Sequence, residues 1–489
     1  MFCAVGSDAA EKDVFVIGAQ ADANTMDPVG MADGYSNTAG LLVYEGLLAM
    51  DGGGNVVPRL AESYEKVDDL SYSFRLRKGV LFHNGDPVTA DDVVYSMQRA
   101  LGPKGAMVHY QNEGVQSVEK TDDETIVIRL KYPFTPFLSE LTQSWGWIAS
   151  KKAIESAEEN GGTYGSEPVG TGPYKLTAWR RGDRMTFDRF DGYHGEKPQL
   201  RQIVLRAIPE SNSRVIELQS GAVDAAWPIP PLTVNRIEQD GKLSIVKNAN
   251  YVVFYIGFNC SKKPFDNPKV REAISLALDL NGIVSAVFRG SGQTCYGAVP
   301  PNAKYYDATY NQHEYNIEKA KALLAEAGLP DGFKSEIWTN DRKERVDTAT
   351  IMQSQLKAVG IDIDIKVMES GAYWTALEGG THDMYLVGYY AATPDFGPAM
   401  YSTFHSSQNG INTYTNYDNA GLDDLLERSN KVPDGDEREK IFKDIQRILF
   451  EDKPMVFMQV GENVIGMNKS VKGFVPLSTS EQDFSGVYF

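Results

Sequence analysis

The length, composition and charge of the chain limit what it does. The sequence has 489 residues and a formal net charge of −18, so it is too long for a single hydrophobic core and predicts two or three domains. The acidic balance argues against a protein that binds nucleic-acid phosphates, because that function needs clustered Lys and Arg. No apolar run approaches the roughly eighteen residues that a membrane-spanning helix needs.

The N-terminal stretch MFCAVGSDAAEKD lacks the basic region and the long apolar region of a secretory signal. We therefore expect no secretory signal in this sequence. Cys3 lacks the apolar lead-in of a lipidated cysteine, so this stretch is expected to be disordered or a cloning remnant. Residues 14–20 then read as the opening strand, and Gly52-Gly53-Gly54 reads as a hairpin turn.

Residues 59–99 predict a strand, a turn and a capped helix in one block. Tyr72, Phe74 and Leu76 alternate with polar residues, which is typical of a half-buried strand. The run NGDP at residues 84–87 predicts a tight turn. The hydroxyl of Thr89 then caps a helix whose first turn carries acidic residues, and both features stabilise a helix N-terminus.

Strands and helices alternate through the remainder of the chain. The alternation of residues 125–130 predicts a strand, and a helix is predicted from Pro268 to about Phe288. Further predictions are a helix capped by Asn316 and ending at Gly328, a helix over 347–358, and strands at 335–338, 361–367 and 384–387. This interleaving predicts an α/β fold.

The block of residues 59–99 closely resembles the cluster-5 family of extracytoplasmic solute-binding proteins, which are the dipeptide- and oligopeptide-binding components of ABC importers. Residues 76–96, LRKGVLFHNGDPVTADDVVYS, match the family's strand, turn and helix. Other matching segments follow in the family's order: PVGTGPY at 168–174, FDGYHG at 190–195, FN at 258–259, KPFDNPKVREAI at 263–274, YNIEKAKALLAEAG at 315–328 and VKGF at 471–474. The resemblance covers nearly the whole chain.

The resemblance implies an α/β, two-lobed, periplasmic-binding-protein type II fold with an extra subdomain and a ligand cleft between the lobes. The chain would cross twice between the lobes, near residues 258–261 and 461–465. The implied limits are residues 1–45 for the first part of lobe I, 46–163 for its extra subdomain, 164–260 for its second part, 261–463 for lobe II and 464–489 for the return to lobe I.

The resemblance also implies the function. The protein is expected to capture di- or oligopeptides outside the cytoplasm, in the periplasm or tethered to the cell surface, and to deliver them to an ABC transporter permease. It is expected to be a monomer without a cofactor. Relatives on the same fold bind oligosaccharides, opine-like compounds, nickel complexes or haem, so a non-peptide solute remains the alternative.

The residues themselves offer little for catalysis. The motifs G-x-x-x-x-G-K-[ST], H-E-x-x-H and G-x-S-x-G are absent, which argues against an enzyme. The six histidines lack metal-ligand spacing and are expected at turns or on the surface: His83, His109, His194, His313, His382 and His405. Cys260 and Cys295 would be either a disulfide or two buried free thiols.

Two charged positions match the family's peptide-binding segments. Asp395 follows the apolar strand at 384–387 and matches the acid that receives a ligand's α-ammonium group in peptide-binding relatives; the alternative is a turn-capping aspartate. Arg342 and Arg345 lie where dipeptide-binding relatives place an arginine for the ligand's carboxylate, although this segment is shorter here. The alternative for the two arginines is a solvated charge run.

Aromatic residues are expected to form the remaining walls of the site. Trp374 matches a tryptophan that faces the ligand in oligopeptide-binding relatives. Weaker candidates, each more typical of a core than of a pocket, are Tyr35, Trp145, Trp147, Trp227, Tyr255 and Tyr389.

Overall fold

The computed structural model describes residues 12–108, 112 and 114–489. Cys3 and His109 lie outside these residues, so what was expected of them stays a prediction. In the described part of the chain no helix is long and apolar enough to cross a membrane.

Strands and helices alternate along the described chain. The strands are β1 Val14–Ala19, β2 Glu45–Gly46, β3 Leu48–Met50, β4 Val56–Pro58, β5 Ala61–Asp68, β6 Ser71–Leu76, β7 Val115–Lys120, β8 Thr125–Leu130, β9 Trp147–Ile148, β10 Tyr174–Arg180, β11 Arg184–Arg189, β12 Gln202–Ala207, β13 Ala225–Trp227, β14 Leu243–Phe258, β15 Gln293–Thr294, β16 Phe333–Asn340, β17 Ile361–Met368, β18 Met384–Tyr390 and β19 Met455–Asn468. The α-helices are α1 Gly34–Val43, α2 Ala90–Leu101, α3 Phe137–Glu140, α4 Lys151–Glu159, α5 Ser211–Ser220, α6 Val234–Glu238, α7 Pro268–Ala277, α8 Leu280–Phe288, α9 Ile317–Glu326, α10 Lys343–Leu356, α11 Ser370–Glu378, α12 Gly397–Phe404, α13 Ala420–Lys431 and α14 Asp436–Asp452. The predicted α/β class is confirmed.

The chain divides into two compact units. Unit 1 consists of Met1–Arg129, Leu141–Lys247 and Val464–Phe489, and unit 2 consists of Leu130–Glu140 and Asn248–Asn463. The chain thus passes from unit 1 to unit 2 within β14, earlier than the limit given by the resemblance, and returns within β19. The extra subdomain at residues 46–163 stays a prediction.

Unit 1 is built on a mixed sheet with the order β10, β11, β12, β1 and β13. The opening strand β1 is parallel to β12 and β13, while residues 466–467 of β19 pair with β13 in antiparallel orientation. Phe15 of β1 is fully buried, with its ring centroid 5.9 Å from that of Phe484 and 6.2 Å from that of Phe489. The core of unit 1 therefore joins the first strand to the C-terminal residues.

A four-stranded sheet with the order β5, β6, β8 and β7 contains the strand predicted within residues 59–99. Tyr72, Phe74 and Leu76 are buried in β6, as their alternation predicts. Thr89 forms a capping box with Asp92 at the start of α2, which confirms the predicted N-cap.

Unit 2 is built on the strands β14, β18, β16 and β17. β14 and β18 are antiparallel, and β16 is parallel to both β17 and β18. Helices α7 to α10 cover apolar side chains of these strands, among them Ile256, Ile337 and Ile363. The C-terminal ends of β16 and β18 carry the segments that were singled out as ligand-binding.

Two predicted helices differ from the observed ones. The single helix from Pro268 to about Phe288 is wrong: α7 ends at Ala277, and α8 begins after Asp279, whose carboxylate accepts a hydrogen bond from Gly282 N at 2.9 Å. An N-cap side chain of this kind starts a new helix. The helix predicted at 347–358 starts earlier, at Lys343, where Lys343 forms an ion pair with Asp347 one turn later.

A short segment of the N-terminal half belongs to unit 2. Residues 130–140 belong to unit 2, although the residues before and after them in the sequence belong to unit 1. Thr135 of this segment forms hydrogen bonds with the C-terminal end of α13. Its N–H donates to the carbonyl of Asn430 at 2.8 Å, and its hydroxyl donates to the carbonyl of Val432 at 2.8 Å. We call residues 130–140 the docked segment.

Cys260 and Cys295 are free thiols in the structure, so the free-thiol alternative is the one found. Burial raises the pKa of each thiol to about 11, which keeps both protonated and unreactive at neutral pH.

We expect a Cys3→Ser chain to show no rapidly reacting thiol while folded and two in urea without reductant, measured with a chromogenic disulfide reagent. The same chain treated with reductant before urea is the control and should give the same two thiols. Thiols that appear only after reduction would contradict the free state.

Candidate ligand-binding site

Arg345 is buried, and no described acidic residue pairs with its charge. It lies in the first turn of α10, directly after β16, and is 7% exposed. Its Nε and Nη1 have no hydrogen-bond partner among the described residues, and its guanidinium lies 5.7 Å from the ring centroid of Phe254. Burial lowers the pKa of Arg345. The solvated charge run considered from the sequence therefore does not describe this residue.

Other buried arginines of the chain have their donors occupied. Arg214 donates to the carbonyls of Ile208 and Pro209 at 2.6 and 2.9 Å. Arg271 donates to the carbonyls of Phe265 and Asp452 at 2.8 and 2.5 Å. A buried cation is tolerated when it is hydrogen-bonded or paired. Arg345 departs from this rule, which indicates a site for an anion.

Tyrosines surround this part of unit 2. Tyr255 and Tyr389 are buried with ring centroids 6.2 Å apart, and the charge of Arg345 acts on Tyr255. Burial raises the pKa of Tyr389 well above its usual value, and its hydroxyl has no hydrogen-bond partner among the described residues. A hydroxyl that is buried in this way is available to a polar ligand or to water.

Trp374 offers an aromatic surface near the same region. It lies on α11, is 37% exposed, and has its ring centroid 5.4 Å from that of Tyr373 and 6.1 Å from that of Tyr414. Tyr373 is itself under the influence of the Arg345 charge. An exposed indole supported by two other rings is a rigid contact for a ligand side chain.

Asp395 already has a partner of opposite charge. Its two carboxylate oxygens accept hydrogen bonds from Nη1 and Nη2 of Arg438 at 2.6 and 2.9 Å, and one of them also accepts from Gly397 N at 3.0 Å. The Arg438 side chain is completely buried and also meets Asp434 at 2.8 Å. Asp395 thus has a structural role, and its ammonium-binding role stays a prediction.

The structure brings some of the predicted site residues together and not others. Arg345, Tyr255, Tyr389 and Trp374 share one region of unit 2, whereas the neighbouring Arg342 is exposed. The candidates in unit 1 are Tyr35, Trp145, Trp147 and Trp227. Trp145 and Trp147 are buried, as expected of core residues, while Tyr35 and Trp227 line a small pocket that is partly open to solvent.

Sequence reasoning missed several residues of the unit 2 region. Tyr373 adjoins Trp374 in the sequence and could have been noted for that reason. The sequence did not single out Phe254 or Arg438, because Phe254 lies within the apolar run of residues 251–258 and Arg438 lies in a helix rich in charged residues.

The described residues contain no cluster of three His, Cys, Asp or Glu side chains that could hold a metal ion. The expectation that the histidines lie at turns or on the surface is wrong for His382 and His405, which are buried. His382 Nε2 lies 2.7 Å from the carbonyl of Tyr414, a contact that explains its burial.

The chain belongs to the family "Bacterial extracellular solute-binding proteins, family 5 Middle", whose model matches residues 55–411. The predicted family is thereby confirmed, and with it a solute-binding rather than a catalytic function.

Particular relatives agree along almost the whole chain. The glutathione-binding protein GsiB of Salmonella choleraesuis is 32% identical over 477 residues, covering 95% of this chain and 92% of that protein. The structure of the periplasmic binding protein DppA from Helicobacter pylori in complex with the peptide STSA is 30% identical, with a TM-score of 0.83 and 98% of both chains covered. HbpA2 from Haemophilus parasuis is 26% identical, with a TM-score of 0.89 and coverage of 97% of this chain and 99% of that one.

We expect the substitution Asp395→Asn to lower the free energy of unfolding by about 3 kcal/mol, because it leaves the buried Arg438 with a single, more exposed carboxylate. Urea denaturation without added ligand measures the change. Asp347→Asn, which breaks an exposed ion pair, is the control and should cost less than about 1 kcal/mol. Equal losses in the two variants would show that the Asp395 pair is not structural.

Proposed function

We propose that the protein is the extracytoplasmic binding component of an ABC importer and that it captures short peptides, with the ligand's carboxylate bound to Arg345. The observation that carries this proposal is the burial of a guanidinium whose Nε and Nη1 are unpaired within residues 12–108, 112 and 114–489. Support comes from the relatives that are named for binding glutathione or were solved with a peptide.

A carboxylate is the anion that suits this guanidinium best. The two groups are planar and form two parallel hydrogen bonds, which are roughly twice as strong as neutral ones. Because the environment of Arg345 is poor in water, the attraction is screened less than on the surface. A ligand carboxylate also removes the cost of an unpaired buried charge, so the free energy of binding includes this relief.

The tyrosines and Trp374 suit the remainder of a peptide. Aromatic side chains contribute a large apolar area together with hydroxyl and indole N–H groups, so they accommodate side chains of different kinds. Binding involves no covalent step. The importer is expected to recognise the ligand-bound conformation. The ligand raises the population of this conformation because it binds it more tightly than the unliganded conformation.

Among non-peptide solutes, the same guanidinium favours an acid over a neutral sugar. An opine-like compound carries a carboxylate that would occupy the same place, whereas an oligosaccharide would leave Arg345 unpaired. The acidic solute is therefore the second candidate, and the oligosaccharide is the weaker one.

We expect peptides to raise the melting temperature, because a ligand that binds only the folded state stabilises it by about 2.7 kcal/mol at one hundred times its Kd. Differential scanning fluorimetry with reduced glutathione and di- to pentapeptides tests this. Neutral disaccharides are the control. A shift with disaccharides and none with any peptide would refute the assignment.

We expect Arg345→Met to weaken peptide binding by about 2 kcal/mol or more, roughly 30-fold in Kd, without lowering the melting temperature. The reason is that methionine fills similar space and removes an unpaired buried charge. Isothermal titration calorimetry and thermal unfolding measure the two effects.

Arg271→Met is the matched control, since Arg271 is also buried but donates to several carbonyls. This variant should lose stability, because those carbonyls are left unsatisfied. If Arg345→Met lost stability to the same extent and still bound peptide, Arg345 would have a structural role instead.

A further inference from the structure

We propose that the N-terminal end of helix α10 forms a second anion subsite, made by Arg342 and the first N–H groups of the helix, and that this subsite selects peptides whose last residue is Asp or Glu. The proposal rests on the peptide-binding function proposed above, in which Arg345 binds the main-chain carboxylate. It assigns the side-chain carboxylate of the last ligand residue to a separate set of donors. Ligands with two acidic groups at one end are therefore preferred.

Helix α10 starts without a side-chain cap. Its N-cap residue is Arg342, which makes no capping hydrogen bond. No residue of the described chain accepts a hydrogen bond from the backbone N–H groups of Lys343 and Glu344. By contrast, the hydroxyl of Thr89 accepts a hydrogen bond from Asp92 N at the start of α2. The first N–H groups of α10 are thus left for an acceptor from outside the helix.

The two positions that commonly interact at a helix start both carry arginine in α10. In a capping box the N-cap residue and the third helical residue are acceptors, usually Ser or Thr and Glu or Gln. Helix α2 has Thr89 and Asp92 at these positions, whereas α10 has Arg342 and Arg345. A helix N-terminus carries a partial positive charge, which favours anions and disfavours cations. Three sources of positive charge therefore meet where an acidic group is normally found.

Arg342 and Arg345 lie close enough for their charges to interact. Burial lowers the pKa of Arg345, and the charge of Arg342 lowers it further. Side chains lean towards the N-terminus of their helix, so Arg345 leans towards the end at which Arg342 is located. Arg345 is buried, whereas Arg342 is exposed. The pair therefore presents one cation in the interior and one at the surface, both at the same end of α10.

No described acidic residue neutralises the two arginines. Neither Arg342 nor Arg345 forms an ion pair in the part of the chain that the structure describes. Two acids are near them in the sequence: Asp341 is exposed before the helix, and Glu344 lies in its first turn. Both acids leave the arginines unpaired. A single ligand carboxylate on Arg345 would therefore still leave Arg342 and the helix end without an anion.

A peptide that ends in Asp or Glu has two carboxylates that suit these two sets of donors. Its main-chain carboxylate matches the guanidinium of Arg345, and its side-chain carboxylate accepts hydrogen bonds from the helix N–H groups and from Arg342. Both carboxylates are ionised at neutral pH, so binding needs no proton transfer. A peptide with a neutral last residue would leave Arg342 unpaired. Because Arg342 is exposed, the gain in affinity is moderate.

The test compares the peptides Ser-Thr-Ser-Glu and Ser-Thr-Ser-Gln by isothermal titration calorimetry at neutral pH, because they have the same size and differ in one charge. We expect the Glu peptide to bind the unmodified protein about fivefold more tightly or better. In Arg342→Gln this preference should fall below about twofold, while the affinity for the Gln peptide stays the same. Lys357→Gln, at the exposed far end of α10, changes the net charge equally and should keep the preference.

The variant Arg342→Ser separates a ligand-binding role from a structural one. Serine supplies the side-chain cap that α10 lacks, so the melting temperature without ligand should stay the same or rise. The preference for the Glu peptide should still be lost, because the guanidinium is removed and the serine hydroxyl accepts from a helix N–H. A lower melting temperature together with an unchanged preference would show that Arg342 stabilises the fold instead.

The outcomes separate this subsite from the function on which it rests. Absence of any peptide binding to the unmodified protein would overturn the proposed function. Equal affinity of the unmodified protein for the Glu and Gln peptides would overturn the acidic preference alone. A preference that persists in both folded Arg342 variants, or that is lost as fully in Lys357→Gln, would have another cause and would overturn the subsite.

Discussion

A charge that is removed from water must meet an opposite charge or a set of polar atoms, and the charged interior of this protein is organised by that constraint. Arg214 and Arg271 meet backbone carbonyls, and Arg438 meets Asp395 and Asp434. In each case the arginine ties separate stretches of chain together. Arg345 is similarly buried, but two of its three nitrogens have no such partner in the part of the chain that the structure describes. The difference separates arginines that stabilise the fold from the one that we propose binds a ligand.

Much of the fold could be predicted because its signals are local. The alternation of Tyr72, Phe74 and Leu76 and the capping box of Thr89 depend on neighbours within a few residues, and both are present in the structure. The break before Asp279 was missed, because the apolar spacing continues across it and only the cap interrupts the helix. The site was harder to predict, because the burial of a charged residue decides whether it belongs to the site and the sequence pattern does not show that burial. Arg345 lies in a run of charged residues, a pattern that is typical of a solvent-exposed segment, so the sequence does not reveal its burial.

The core of unit 1 also has a consequence for synthesis. Phe15 packs against Phe484 and Phe489, and β13 pairs with residues 466–467. A polypeptide that emerges from the ribosome N-terminus first cannot close this core until residues 464–489 are available. The core of unit 1 therefore stays incomplete until nearly all of the chain has been synthesised. A chain that is still unfolded is the form that can pass through a narrow membrane pore.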